Sequence, residues 1–400
     1  MKLIDACEII VDCPHTTAKD EGCGIPLVRT PNIGKGRLDL NGVHRVSKTV
    51  YNQRNERAVP QFEDLILARE APVGNVAMIT KGQKVCLGQR VVLIRPDKTI
   101  ANPAYLTYYL LSDKVQHRLK NNANGAVVAH LNMNEIRNLE ITLPPLDEQN
   151  RIASILTSID DKIELNNRIN HNLEEQAQTL YKSWFVDFEP FKDGKFIDSE
   201  LGMIPESWHV GKIKDIVDLQ SGFAFKSDSF VSNGTYKLIT IKAVQDGYLT
   251  TEGADGLNDP LPPRMPEYCC LEIGDILLSL TGNVGRVCVV DKQNLLLNQR
   301  VAKLQPIKEY NRAFVYLLFR NSILHYQLIQ LARGTAQLNL SPIETGDLKV
   351  IIPSDEVLLQ YSNVVTPIYK AIISNKKTTI SLNDIRDQIL PRILSGEITC

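Results

Sequence analysis

No run of this 400-residue sequence stays apolar for the roughly 18 to 20 residues that a membrane-spanning helix needs. The N-terminus, Met1-Lys-Leu-Ile-Asp5, has neither a long apolar core nor a small-residue cleavage site, so a secretory signal is not expected. Paired-cysteine motifs are missing as well. The eight cysteines (Cys7, Cys13, Cys23, Cys86, Cys269, Cys270, Cys288 and Cys400) include no C-x-x-C, the pattern of reduced thiols in a cytosolic protein. Net charge is nearly absent: 45 Lys and Arg stand against 46 Asp and Glu, leaving −1. That balance excludes a protein that coats nucleic acid with a strongly basic surface, but not one with a local basic face. With 43% hydrophobic and 23% charged residues the composition is globular, and the length suits two or three domains.

Catalytic signatures are lacking too. There is no phosphate-cradling G-x-x-x-x-G-K-[ST] and no G-x-G-x-x-G after a strand. Leu143-Pro-Pro-Leu146 and Leu261-Pro-Pro-Arg264 lack the leading Asn or Asp and the aromatic residue with which adenine methyltransferases clamp a flipped base. Cys7, Cys13, His15 and Cys23 have gaps that fit no zinc module. Asp64 and Glu70 lack the lysine of a nuclease, and Asp64 recurs as Asp275 in a similar context, which favours a turn-forming role. An enzyme is not expected.

What the sequence does contain is a repeat. Glu63-Asp64-Leu-Ile-Leu67 matches Gly274-Asp275-Ile-Leu-Leu278 at an offset of 211, and Gln89-Arg90-Val91 matches Gln299-Arg300-Val301 at 210. Asn32-Ile-Gly-Lys-Gly36-Arg-Leu38 aligns with Ala243-Val-Gln-Asp-Gly247-Tyr-Leu249 at 211, Gly125 with Gly334 and Pro144 with Pro353 at 209. Leu131-Asn132 aligns with Leu338-Asn339 if a two-residue slip is allowed. The chain is a duplicated unit. The first part of each copy, about 1–144 and 205–352, has short β-type runs punctuated by Gly, Pro, Asn and Asp, with one helical stretch near 103–120 and 311–332. It reads as a mixed α/β domain.

The second part, about 146–184 and 355–394, reads as one long helix. Steps of four and three from Ile152 give Leu156, Ile159, Ile163, Asn166, Asn170, Leu173, Ala177 and Leu180. Adding 209 gives Tyr361, Val365, Ile368, Ile372, Asn375, Thr379, Leu382, Arg386 and Ile389. A seven-residue period over four heptads is a coiled-coil seam, with Asn166-Asn170 and Asn375-Thr379 as matching polar centres that fix register. Pro367 is expected to kink the second helix. Neither helix can bury its seam within its own copy, so the two should pack on each other or on another chain; an antiparallel pair would bring the polar layers together.

A polyanion has two candidate seats. Arg29, Lys35, Arg37, Arg45, Lys48, Arg54 and Arg57 against Asp39 and Glu56 give +5 over residues 29–57, with Asn32 and other amides interleaved. Lys and Arg neutralise phosphates, while Asn, Gln and Arg pair with base edges. The second seat is Lys114–Asn132, with Arg118, Asn124 and His130 around Gly125; its counterpart carries Arg333 and Gln337. The segment matching 29–57, about 240–268, holds only Lys242 and Arg264 against five acids, a charge of −3. Scaffold anchors repeat while the candidate contact surface does not, as expected of a duplicated reader whose copies read different sequences. Arg69 and Arg286 complete the candidate set.

Leu143-Pro-Pro-Leu-Asp-Glu-Gln149 opening a heptad helix, then Tyr181-Lys-Ser-Trp-Phe185-Val-Asp-Phe-Glu-Pro-Phe191 and Gly202-Met-Ile-Pro-Glu-Ser-Trp208, resembles the central region of type I restriction–modification specificity subunits. Asp12-Cys-Pro-His15-Thr16 and Leu390-Pro-Arg-Ile-Leu-Ser-Gly-Glu-Ile398 fit the same family. The resemblance covers essentially the whole chain. It implies two target-recognition domains, 1–144 and 191–352, separated by long spacer helices at 145–190 and 353–400 packed as an antiparallel coiled coil. It implies a non-catalytic cytoplasmic subunit that binds double-stranded DNA at a bipartite asymmetric site. The expected partners are two modification subunits, which bring S-adenosylmethionine, and restriction subunits, which bring ATP and magnesium; no cofactor is expected in this chain. The competing reading is an assembly scaffold that reads no DNA. Two departures stand out: the first copy lacks the Pro205-x-x-Trp208 lead-in, and the second helix opens on Pro353-Ser-Asp-Glu-Val357, which should dock less firmly than Leu-Asp-Glu-Gln149.

If the helices act as a ruler, deleting residues 166–172 and 375–381 should bring the two domains closer by roughly 10 Å, near three base pairs of duplex. Selection from a duplex pool should then yield a shorter spacer or no binding. An unchanged spacer would show that the helices do not set the distance.

Overall fold

The computed structural model describes residues 1–70, 72–121, 130–334 and 337–398. The chain divides into two compact units, Met1–Leu165 with Ile380–Cys400, and Asn166–Thr379. Among the described residues no helix is long and apolar enough to cross a membrane.

In the first unit a five-stranded sheet runs in the order Cys7–Asp12, Val91–Pro96, Leu65–Ala68, Val76–Met78, Gly36–Arg37. All its pairings are antiparallel except the last. Its central strands are continuous apolar runs because both faces are covered. Leu65, Leu67, Val92 and Ile94 point into one core with Leu106 and Leu110, while Ile66, Ala68, Val91 and Leu93 point into another with Val28 and Ile33. A smaller sheet is ordered Arg45–Val46, Ile25–Val28, Cys86–Leu87. The second unit repeats this plan: Val217–Ser221, Val301–Pro306, Ile276–Ser279 and Val287–Val289 in one sheet, and Gly256–Leu257, Tyr236–Ile239, Leu295–Leu297 and Cys270–Leu271 in the other. The mixed α/β class read from the sequence is the one found.

Each globular part is closed by its own ends. The Leu3 N–H donates to the Leu139 carbonyl at 2.8 Å, and the Ile213 N–H to the Leu348 carbonyl at 3.0 Å. The Leu131 N–H donates to the Arg69 carbonyl as the Leu340 N–H does to the Leu280 carbonyl. Leu131 therefore corresponds to Leu340, an offset of 209 (340 − 131), and the slip that paired it with Leu338 is corrected. The single helical stretch expected in each copy is two helices, Pro103–Leu111 then Asp113–Asn121, and Arg312–Arg320 then Ser322–Leu331. Ser112 and Asn321 adopt extended backbone between them, and the Asn321 side chain caps the following helix.

Two helices of 40 residues, Leu146–Phe185 and Asp355–Leu394, stand where long helices were expected. Each opens on a prolyl segment with acids in its first turn, which suit the positive end of the helix dipole. The second runs as one helix through Pro367, where a kink was expected; Val365 and Ile372 are buried on either side and packing holds the turn together. In the second unit, partners descend on one helix as they rise on the other: Asn166 with Thr379, Asn170 with Asn375, Phe185 with Tyr361. The helices there are antiparallel, and their polar layers do meet, although the bonded pairs are 166/379 and 170/375. Val365, Ile372, Ala177 and Asn166 are buried, with Leu173, Leu180, Ile368 and Asn375 half-buried. In the first unit Ile152 and Leu156 are buried and Ile159, Ile163, Leu382 and Ile389 half-buried.

The two helix starts are docked differently. Gln149 is 1% exposed; its amide donates to the Ile100 and Pro144 carbonyls, and its Oε1 accepts from the Asn102 N–H. Its counterpart in the second unit is Leu358, buried among apolar groups, with Lys308 and Asp355 ion-paired nearby at 2.5 Å. The Pro205-x-x-Trp208 lead-in places the buried Trp208 in T-shaped contact with Phe188 and Phe191 and in tilted contact with Phe185.

The described cysteines are free thiols; Cys13, Cys86, Cys269 and Cys288 are buried, Cys23 and Cys270 exposed. Burial pushes Cys288 up to about 12 and Cys86 up to about 11. An aromatic disulfide reagent near pH 8 should label Cys23 and Cys270 within minutes and the four buried thiols only on unfolding. Peptide mass mapping checks this, and prompt labelling of Cys288 in the folded chain would contradict the packing.

Candidate nucleic-acid interface

The basic segment of the first unit folds around the small sheet, and much of its charge is used internally. Arg54 is buried and donates to the carbonyls of Leu87, Thr16 and Pro14. Arg57 pairs with Asp12 at 3.2 Å. Arg37 pairs with Asp161 of the first long helix at 2.5 Å. Asn32, 9% exposed, accepts from the Arg29 N–H through Oδ1 and so caps the short turn Thr30–Asn32. Arg45 donates to the Gly24 carbonyl at 2.9 Å. Among the described residues Lys35 is exposed without an ion pair, and the half-buried Arg29 has none either. The formal +5 therefore overstates the charge available to a polyanion.

Arg69 is the most enclosed of the candidate residues described so far. It is 5% exposed, donating to the Leu131 carbonyl at 2.8 Å and to Asp12 at 2.9 Å, with His130 at 2.6 Å. Desolvated and bonded to a carbonyl, a carboxylate and an imidazole, it is tied into the site's own framework. His130 is held through Nδ1 by Glu70 at 2.7 Å, and Glu70 also pairs with Arg90 at 3.0 Å. Asp12 additionally pairs with His15. A charged network thus spans the end of the main sheet, joining residues that spacing alone did not connect; Asp12-x-x-His15 and the repeated Gln89-Arg90 were its only signals. Arg118 reaches the Glu140 carbonyl at 3.2 Å. Asn124 lies outside the described residues.

The second unit answers with neutral groups. Where Glu70 holds His130, Thr281 donates to Asn339 at 3.0 Å, at offsets of 211 (281 − 70) and 209 (339 − 130). Arg286 hydrogen-bonds Gln245, whose amide donates to the Lys242 carbonyl, so these residues share one corner. Lys242, Arg264 and Gln337 are exposed, and Arg333 is exposed but paired with Glu344 at 2.7 Å. On the outer face of helix Asp113–Asn121, Lys114, His117 and Lys120 are exposed; the same positions plus 209 are Ile323 (58% exposed), Tyr326 (64%) and Ile329 (38%). One fold presents a basic face in one copy and an apolar face in the other. Among the described residues no cluster of three His, Cys, Asp or Glu is placed to hold a metal ion.

A family model described as the type I restriction modification DNA specificity domain matches residues 1–175 and again 205–383. The chain belongs to this family. Both copies of the specificity domain fall on the duplicated units seen in the fold. Among curated proteins the chain is similar to the type I restriction enzyme MjaIX specificity subunit of Methanocaldococcus jannaschii, 27% identical over 363 residues, covering 89% of this chain and 82% of that one. It is 25% identical to the HindI specificity subunit of Haemophilus influenzae, covering 77% of this chain and 80% of that one. Among solved structures it shares its fold with the S subunit of a type I restriction–modification system from M. genitalium, with a TM-score of 0.59 at 15% identity over 98% of this chain and 95% of that one.

Two substitutions separate scaffold from surface. Arg69→Ala should lower unfolding stability by on the order of 3 kcal/mol, because Asp12 loses its most buried partner. Lys35→Ala should leave unfolding unchanged but reduce the slope of log affinity against log salt for duplex DNA by about one. Denaturant titration and salt-dependent binding check the pair; the reverse pattern would show the assignments to be exchanged.

Proposed function

We propose that this specificity-family chain reads a bipartite, asymmetric double-stranded DNA site, one half per target-recognition domain, without catalysing a reaction itself. The observation that supports this most is the double match to the specificity domain, laid over two copies of one fold whose exposed charges differ. Conserved topology with divergent polar surface is what two readers of unlike sequences require. The readers are taken as 1–144 and 191–352, with helices 145–190 and 353–400 as a coiled-coil spacer. Two modification subunits dock on this chain and carry S-adenosylmethionine for methylation of adenine, and restriction subunits carry ATP and magnesium. The assembly acts in the cytoplasm. The exposed Lys35, Lys242, Arg264, Arg333 and Gln337 face the DNA, with Arg29 and Arg45 beside them. A scaffold that reads no DNA is less well supported, since a pure scaffold has no use for two divergent surfaces.

Co-expression with modification subunits, followed by single-molecule sequencing for methyladenine, should reveal one bipartite motif. Exchanging residues 1–144 for the same part of a relative should change one half of that motif and leave the other intact. Change in both halves would show that the readers are not independent, and absence of a motif would reject the reading.

A further inference from the structure

Asp160 is a carboxylate, 2% exposed, in the seam of the long helices, and three elements converge on it. Tyr108 of helix Pro103–Leu111 donates its hydroxyl to Oδ2 at 2.6 Å. Arg386 of the second long helix donates to Oδ1 at 2.9 Å. The neighbouring Asp161 accepts from Arg37. The backbone also approaches: Gly36, with φ +95°, has its Cβ direction 3.1 Å from Asp160 Oδ2 and 3.6 Å from Tyr108 Cε1, so any side chain there would be strained and would crowd the carboxylate.

A buried carboxylate is costly unless both oxygens are partnered, and an apolar seam would hold the helices together at less expense. Apolar contacts are non-directional and tolerate sliding, whereas a charge-assisted hydrogen bond weakens steeply with misalignment. Residues that bridge a globular part to both helices through such bonds therefore constrain its angle.

The second unit contains an equivalent node built from other groups. Glu174, 14 residues along the same helix (174 − 160), ion-pairs with Arg320 at the end of helix Arg312–Arg320. Arg320 also pairs with Asp246 at 3.2 Å. Gly247, the counterpart of Gly36 and likewise at positive φ, has its Cβ direction 3.0 Å from the Arg320 guanidinium. Each unit thus has an acid of the first long helix and a glycine-backed reader group, with different chemistry in each.

We propose that the Asp160 node is a positioning device: Tyr108 and Arg386, acting through Asp160, hold the first reader at one angle on the helices and so narrow the range of half-site spacings the complex accepts. This rests on the DNA-reading function proposed above. None of the three residues contacts a base; they determine specificity for distance, while exposed residues determine letters.

Tyr108→Phe removes only the hydroxyl and keeps the ring packed, and Asp160→Asn and Arg386→Met remove the charges. Each variant, assembled with modification subunits, is presented with duplexes that keep both half-sites and vary the spacer length. The parent should select one length; each variant should accept neighbouring lengths with discrimination reduced about tenfold, the loss of one charge-assisted bond. The selected letters should not change. Thermal unfolding of the single and double variants should show non-additive effects for Tyr108 with Asp160. A spacing profile identical to the parent's, with that non-additivity present, would overturn the positioning role and leave DNA reading intact. A parent complex that selects no sequence would overturn the DNA reading and this inference with it.

Discussion

A long helix with apolar residues along one side cannot remain alone in water, and everything else in this chain is arranged around that constraint. Each copy of the repeat makes only one such helix, so neither copy can satisfy itself. The solution is an antiparallel pair in which a stretch of both helices enters each compact unit. The buried Asn166 and the half-buried Asn170 and Asn375 then fix register, since Asn375 bonds Asn170 and Asn166 bonds Thr379. Docking of the globular parts follows from the same surface: Tyr105 and Tyr108 pack with Ile152, Leu156 and Ile393 in one unit, and Phe314 packs with Tyr181, Phe185 and Tyr361 in the other.

Duplication has preserved hydrogen-bond geometry more faithfully than chemistry. Thr281 and Asn339 occupy the places of Glu70 and His130, keeping the contact while discarding the charge. Leu358 replaces Gln149, so the first copy seats its helix with three hydrogen bonds and the second with apolar burial. Asp64 and Asp275 both cap a turn through a backbone N–H, yet one is satisfied by Arg95 and the other by Lys303. Backbone partnership is obligatory and side-chain identity is negotiable. A scaffold with that tolerance can change its surface without losing its fold.

The repeat, the mixed α/β class and the long helices were legible because they depend on spacing, which a sequence displays directly. Fine register was not. The seam steps placed Ile159 inward, while the buried neighbour is Asp160, and a carboxylate was not sought there because its partners Tyr108 and Arg386 are remote in sequence. Arg386 stood in the seam series as a charged interruption for the same reason. Charge counting failed at Arg54: a guanidinium bonded to buried carbonyls and one facing solvent are the same letter. The break at Ser112 was missed because Asp113–Asn121 continues the helical composition, and only the extended backbone at Ser112 separates the two helices.

The hydrogen bonds from Leu3 to Leu139 and from Ile213 to Leu348 make the entrance and exit of each globular part neighbours. A segment whose ends already meet behaves as a closed loop on the chain that carries it, and its removal or replacement needs no rethreading of what remains. Loop-closure entropy grows only with the logarithm of length, so inserts of unequal size can share one doorway at similar cost. Genetic recombination within the helix-coding stretches would therefore deliver whole, foldable cassettes, and a new surface could be acquired in one event without the succession of tolerated point changes that a core-threaded domain would demand.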